Sequence, residues 1–197
     1  IMAALGKSRE QLRHAVSTAD KLHQTTQYLR GSHLDQMVNS PALRAVATQL
    51  MEGPSTLYMP FSAVKNGGGG GRFHFHQDNQ YTRFEGPGIN IWFALTDVSP
   101  DNGCLQMVPR SHLQGTLDSV AAGDNDHHRK TACEPPNFLP IRLRAGDAVA
   151  FSRLTVHGSG PNTTDQTRVG YAVQFHRDDV WANAEGQRFL LKQTPRW

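Results

Sequence analysis

Residues 72–81 read RFHFHQDNQY, and His74, His76 and Asp78 fall at alternate positions. In an extended strand alternate side chains share a face, so an imidazole and a carboxylate one residue apart can grip a single ion. Two imidazoles and one carboxylate cover one face of Fe(II) and leave the opposite positions open to small ligands. Alone, H-x-D is a weak signal, and the chain holds a second one, His176-Arg177-Asp178. The stretch AGDAVAFSRLTVHGSGPNTTDQTR adds a distant His157, with Ser159 and Arg168 close behind it. Arginine captures a carboxylate through two parallel hydrogen bonds, and a serine hydroxyl can add another. A triad with an arginine at that distance is a site for iron plus a dicarboxylate.

Such a site needs strands to carry it. Beyond residue 54 short apolar runs alternate with turn clusters: TLYMPFSAV, INIWFALTDV, CLQMVP, FLPIRL, DAVAFS and VGYAVQFH, separated by KNGGGGG, EGPG, SPDNG, RAGD and GSGPNTTDQ. That texture predicts a mainly β sandwich or barrel. Helices precede it, without the alternation of a parallel sheet. Ser8 with Gln11 fits a capping box, and apolar residues recur at helical steps up to Leu29, which predicts a helix over 8–30 stopped by Gly31. Ser40-Pro41 predicts a second helix carrying Leu43, Val46, Leu50 and Met51, ended by Gly53-Pro54. The polar segment 118–137 reads as a long loop. The expected organisation is one domain over 1–197: a helical part at 1–53, a β core at 54–180 and a tail at 181–197.

Composition narrows the functional classes. With 197 residues, 38% apolar and 19% charged, the chain reads as globular. No apolar run approaches the length of a membrane-spanning helix. The net charge of +3 is spread without a Lys/Arg cluster, so neither a nucleic-acid nor a membrane partner is implied. Cys104 and Cys133 follow no metal or redox spacing and are expected as two buried free thiols. The first residues lack a signal-peptide pattern, and the chain starts with Ile rather than Met, as a partial product would. A cytoplasmic protein is the expectation.

Four motifs in order carry a resemblance to a known family: HQD at 76–78, INIWFALTDVSPDNGCLQMVPRSH at 89–112, AGDAVAF at 145–151 and HGSGPNTTDQTR at 157–168. Over about residues 55–176 the chain resembles the phytanoyl-CoA dioxygenase family of Fe(II)- and 2-oxoglutarate-dependent oxygenases. The resemblance implies a jelly-roll (double-stranded β-helix, cupin-like) core with N-terminal helices packed on it. It implies His76, Asp78 and His157 as iron ligands, Arg168 and Ser159 on the distal carboxylate of 2-oxoglutarate, and Trp92 lining the cosubstrate pocket. Fe(II), 2-oxoglutarate and O2 are then the cofactors. The implied activity is hydroxylation of a C–H bond of a small-molecule substrate, with release of succinate and CO2. Related halogenases carry a small residue where this chain has Asp78, so the carboxylate implies hydroxylation over chlorination.

Two features depart from the family pattern. Arg110 stands where glycine is common before the Ser-His turn, which puts that turn's conformation in question. Five glycines, 67–71, precede the H-x-D strand and are expected as a flexible lid or a plain connector. His74 is expected in the pocket or behind the ligands. Tyr58, Phe61 and His176 are the other expected substrate contacts. His112 is expected to cap a turn, and His127 and His128 to be solvated. The competing readings are a cupin-like metal-dependent isomerase or hydrolase, which would not need Arg168, and a non-catalytic binding protein on the same barrel.

Overall fold

A computed structural model describes residues 16–17, 22–25, 30–69, 71–122, 129–184 and 186–191. Two antiparallel sheets form the framework. The larger is built from β1 (Val16–Ser17), β2 (Leu22–Thr25), β3 (Ser55–Lys65), β5 (Gly88–Ala94), β10 (Ala148–Ser152) and β12 (Arg168–Arg177), in the order β1-β2-β3-β12-β5-β10. The smaller runs β4-β11-β6-β9, from β4 (Phe73–His76), β6 (Leu105–Met107), β9 (Leu139–Ile141) and β11 (His157–Ser159). Two hairpins complete it: β7 (Ser119–Ala121) with β8 (Arg129–Thr131), and β13 (Trp181–Ala184) with β14 (Gln187–Leu190). Among the described residues no helix is long and apolar enough to cross a membrane.

Strand alternation assigns the two faces of the larger sheet. Ala172 of β12 and Trp92 and Ala94 of β5 point toward the smaller sheet, where they pack with Leu105 and Met107. Their neighbours Tyr171, Val173 and Ile91 point the opposite way, onto α1 (His33–Val38) and α2 (Pro41–Leu50), through Leu34, Val38 and Ala47. The site therefore lies between two sheets, with the helices buttressing its floor from behind. A bulge sharpens this geometry. Gln174 pairs with Met59 and Phe175 with Leu57, so Tyr58 is the extra residue of β3, and bulges re-aim side chains beside active sites.

The second helix begins as expected, with the Ser40 hydroxyl accepting from Leu43 N at 3.1 Å and Pro41 in the first turn. Val46 and Leu50, however, lie exposed on its outer side. The helix expected over 8–30 is corrected by β1 and β2, which occupy part of that stretch. There Leu22 to Thr25 pair with Lys65 to Ser62. An open sheet edge offers a full ladder of backbone partners. Helix propensity, worth only tenths of a kcal/mol per residue, does not compete with it. The remainder of 8–29 is outside the described residues. The short α1 escaped the sequence reading, although Ser32 caps it by accepting from Asp35 N. Part of the expected 118–137 loop is the β7–β8 hairpin, and part of the expected tail is β13–β14. His127 and His128 lie outside the described residues. Both cysteines are free; Cys104 is buried, but Cys133 is exposed.

Candidate metal and cosubstrate site

β4 and β11 run side by side with His76 directly opposite His157. That pairing alone brings the two imidazoles to 4.3 Å between ring centroids. Asp78 arrives by a different route from the one predicted. β4 ends at His76, and Asp78 has helical backbone angles, φ −55° and ψ −34°, at the start of the single turn α3 (Asn79–Thr82). The turn folds the carboxylate back over the strand end. Asp78 Oδ1 stands 4.0 Å from His76 Nε2 and 3.8 Å from His157 Nε2. One ligand atom from each of the three lies within 4.8 Å of the others.

Backbone carbonyls set the imidazole tautomers. His76 Nδ1 contacts His74 O at 2.7 Å and His157 Nδ1 contacts Thr155 O at 2.9 Å. A carbonyl only accepts, so each Nδ1 carries the hydrogen and each Nε2 presents its lone pair toward Asp78. Asn90 Nδ2 donates to Asp78 Oδ2 at 3.2 Å and orients the carboxylate. Two imidazoles and one carboxylate, held by outer partners of this kind, suit a divalent transition metal.

The triad opens into a cavity whose far end is cationic. Its lining includes His76, Asp78, His157, Trp92, Ser159 and Arg168. Arg168 opens β12 and is 2% exposed. Its NH2 donates to Gly103 O at 2.5 Å and its NH1 to Ala63 O at 3.3 Å, while Nε has no hydrogen-bond partner. The guanidinium carbon sits 5.3 Å from the Trp92 ring centroid. Gly103 reaches this position with φ 77°, a left-handed conformation that suits glycine, and a Cβ there would meet Gly160 O at 2.5 Å. Burial lowers Arg168 to about 10, still cationic at neutral pH.

Sequence reading missed a second basic group here. Lys65 closes β3 and is fully buried; its Nζ donates to Ser159 Oγ at 2.7 Å and also to Gly160 O. Burial, with Arg168 beside it, lowers Lys65 to about 6. Among the described residues neither Lys65 nor Arg168 has an ion-pair partner. A buried guanidinium without a carboxylate, beside a buried amine that an anion would recharge, at one end of a cavity that ends in three metal-type ligands, fits a dicarboxylate that also chelates the metal. Nothing in TLYMPFSAVK marked Lys65 as buried, because a lysine ending an apolar strand usually reaches solvent.

The other predicted residues divide. Phe61 lines the cavity. His74 is not among its lining residues and reaches the site through its carbonyl to His76. Tyr58 and His176 lie near one another, 6.2 Å between rings, and are not among the cavity's lining residues. His176 and Asp178 do not assemble a metal site: Asp178 accepts from Thr56 Oγ1 at 2.8 Å, and His76, Asp78 and His157 form the one such cluster among the described residues. The glycine run is tied at its start, with Gly68 N donating to Thr164 O and Gly69 N to Asn162 O.

Comparison with known proteins agrees with this geometry. The family model described as Phytanoyl-CoA dioxygenase (PhyH) matches residues 3–170. The chain is 31% identical over 145 residues to the methylphosphonate hydroxylase of Gimesia maris, covering 73% of this chain and 54% of that protein. It is 30% identical over 166 residues to the L-proline trans-4-hydroxylase of Streptomyces griseoviridis, covering 72% and 62%. The chain thus spans only part of the length of these relatives. Among solved structures, the epimerase SnoN in complex with Fe3+, alpha ketoglutarate and nogalamycin RO superposes with a TM-score of 0.72 at 24% identity, covering 94% of this chain and 77% of that one. EvdO2 from Micromonospora carbonacea var. aurantiaca, complexed with 2-oxoglutarate, gives 0.68 at 24% identity, covering 79% and 67%. At that identity the likeness is one of fold.

Proposed function

The chain belongs to the phytanoyl-CoA dioxygenase family, and on that premise we propose that it is an Fe(II)- and 2-oxoglutarate-dependent oxygenase. In this reading it hydroxylates a C–H bond of a small molecule and releases succinate and CO2. One observation carries the reading: the His76, Asp78 and His157 ligand atoms and the buried Arg168 border one cavity. A cupin-like isomerase or hydrolase would have no use for a buried, ion-pair-free guanidinium facing its metal ligands.

The residues have separable duties. His76 and His157 present Nε2 because their Nδ1–H groups are held by carbonyls, and Asp78 presents Oδ1 because Asn90 holds Oδ2. These three would hold the iron. When bound, Fe(II) supplies the redox chemistry that couples O2 and 2-oxoglutarate decarboxylation to substrate oxidation. Arg168 receives the distal carboxylate of the cosubstrate, and the Ser159 hydroxyl adds a hydrogen bond. Lys65 fixes that hydroxyl and adds positive potential at the same end. Trp92, 3% exposed, closes the wall and excludes water. The named relatives are hydroxylases of methylphosphonate and L-proline, which supports a small substrate here.

The test is succinate formation by the purified chain with Fe(II), 2-oxoglutarate and O2. Succinate should appear, should need all three, and should fall steeply with Arg168→Ala at a 2-oxoglutarate concentration just sufficient for the parent. Succinate-free turnover of a substrate with metal alone would instead establish the isomerase or hydrolase reading.

A further inference from the structure

A second buried guanidinium stands apart from the cosubstrate end. Arg153 follows β10 and is 7% exposed, yet among the described residues it has no ion pair. Its NH2 donates to Gly86 O, and its Nε is buried without a hydrogen-bond partner. The guanidinium carbon lies 5.4 Å from the Phe84 ring centroid.

β5 works as a ruler for where this group sits. Its inward-facing residues are Trp92, Asn90 and Gly88. Trp92 packs on Arg168, Asn90 bonds Asp78, and Gly88 abuts Arg153, whose Cδ would lie 2.9 Å from a Cβ at 88. From Trp92 to Gly88 is about 13 Å along a strand. The triad therefore lies between two buried guanidiniums, with Arg168 toward one end and Arg153 toward the other.

Two further polar side chains stand near Arg153. His176 pairs across from Gly88 and is 2% exposed. Its Nδ1 donates to Arg177 O, which leaves a buried Nε2 with no hydrogen-bond partner. Burial lowers its pKa, so the ring is neutral at physiological pH. Tyr58, delivered by the β3 bulge, packs edge-on against Phe84 at 5.2 Å. Its pKa is raised by burial, so it keeps its proton and can donate. The ionisable groups acting on Arg153 are few: Asp78, and Tyr58, which stays neutral. Asp78 is the one carboxylate among them, and in the proposed function it is committed to the metal.

We propose that Arg153, with the Tyr58 hydroxyl, binds an anionic group of the primary substrate, a carboxylate or phosphonate, beside the metal site, while the unprotonated His176 Nε2 accepts from a donor on the same molecule. A buried guanidinium with an unsatisfied N–H is costly unless an anion compensates it, and its planar fork matches a carboxylate or phosphonate oxygen pair. Loading a divalent cation at Asp78 removes the one carboxylate charge that offsets Arg153. The demand for a second anion thus rises once the metal is in place. This proposal rests on the oxygenase reading and adds the substrate class to it.

The test uses the full chain with Fe(II) and 2-oxoglutarate, without O2, and reads thermal shift. The probes are L-proline and methylphosphonate, each beside a neutralised counterpart, L-proline methyl ester and dimethyl methylphosphonate. An anion should stabilise the parent more than its ester does. Arg153→Gln should weaken that anion's binding by roughly tenfold to a hundredfold, and Arg153→Lys should restore part of it. Binding of 2-oxoglutarate should be unchanged in both variants, which shows that they are folded. If esters bind as well as the anions, if neither anion binds, or if Arg153→Gln leaves the preference intact, the anion site is wrong. Loss of 2-oxoglutarate binding by the parent would instead overturn the oxygenase reading.

Discussion

Gly170 and Trp92 compete for one volume: a Cβ at position 170 would lie 2.0 Å from Trp92 Cζ2. Ala172, the next residue of β12 on that face, pairs with Trp92 across the ladder. The indole can therefore lie flat across β12 toward Arg168 only because residue 170 has no side chain. Gly170→Ala should push Trp92 off Arg168, at a cost of about 1–3 kcal/mol for overpacking. The melting temperature should fall and 2-oxoglutarate should bind more weakly. An unchanged affinity would remove Trp92 from the cosubstrate wall.

Much of this arrangement was legible before any coordinates, for reasons tied to particular residues. His157 and Arg168 were picked out by residue type and spacing, and the fold brings both to the lining of one cavity. Asp78 was read correctly as a neighbour of His76 but for an incomplete reason: it arrives through a helical turn rather than strand alternation. Lys65 and Arg153 were invisible because burial is a tertiary property. Both sit in stretches where a charged residue ordinarily reaches solvent. The helix expected over 8–30 failed where β2 found the edge of β3, a partner far away in sequence. The ladder order of the two sheets had the same cause: strands remote in sequence pair, and local periodicity carries no record of it.

Lys65 should make the protein's stability depend on pH in a definite direction. Its pKa falls from 10.5 to about 6 in the folded chain. Between those values the unfolded chain holds a proton that the folded chain does not. Stability therefore rises with pH from about 6 upward, and the full burial penalty is present below 6. Urea unfolding of the cosubstrate-free protein at pH 6 and pH 9 should show the rise, and Lys65→Met should remove most of it. The distal carboxylate of 2-oxoglutarate favours the charged amine, so binding near pH 7.5 should take up a proton, visible by calorimetry in two buffers. Equal proton uptake by Lys65→Met would assign the effect to another group.

Arg110 occupies a left-handed conformation, φ 62°, in the turn before Ser111. The turn keeps the shape that glycine adopts freely, and a side chain there costs about 1 kcal/mol. Arg110 is exposed, and among the described residues no hydrogen bond of its side chain offsets that cost. Arg110→Gly should raise stability by about 0.5–1 kcal/mol in denaturant unfolding, less whatever the more flexible unfolded chain gains. A loss of stability would mean that the arginine side chain contributes to this turn.

In the proposed function Arg168 is the residue that separates an oxoglutarate oxygenase from another metal barrel. Removing it leaves an incoming carboxylate in a dry site with only Ser159 and Lys65 for company. A well-buried pair broken in this way loses roughly 3 kcal/mol or more, about two powers of ten in affinity. Lysine at 168 should recover only part, because a point charge cannot form two parallel hydrogen bonds. Anaerobic 2-oxoglutarate titration of the Fe(II)-loaded variants reads both effects. Parent-like affinity in Arg168→Ala would place the cosubstrate elsewhere.

His74 and His76 sit two residues apart, yet they differ in what they offer an ion. His76 holds its Nε2 toward Asp78, and His74 supplies the carbonyl that keeps it there. That carbonyl belongs to the backbone and survives substitution of the side chain. His74→Ala should therefore bind Fe(II) stoichiometrically, and His76→Ala should not. Asn90→Leu should fall between them, because Asp78 keeps its charge but loses the amide that orients it. Losses of outer partners of this kind cost about 10- to 100-fold in metal affinity. Equilibrium dialysis with Fe(II) under anaerobic conditions ranks the three. Weak binding by His74→Ala beside parent-like binding by His76→Ala would exchange the roles of the two histidines.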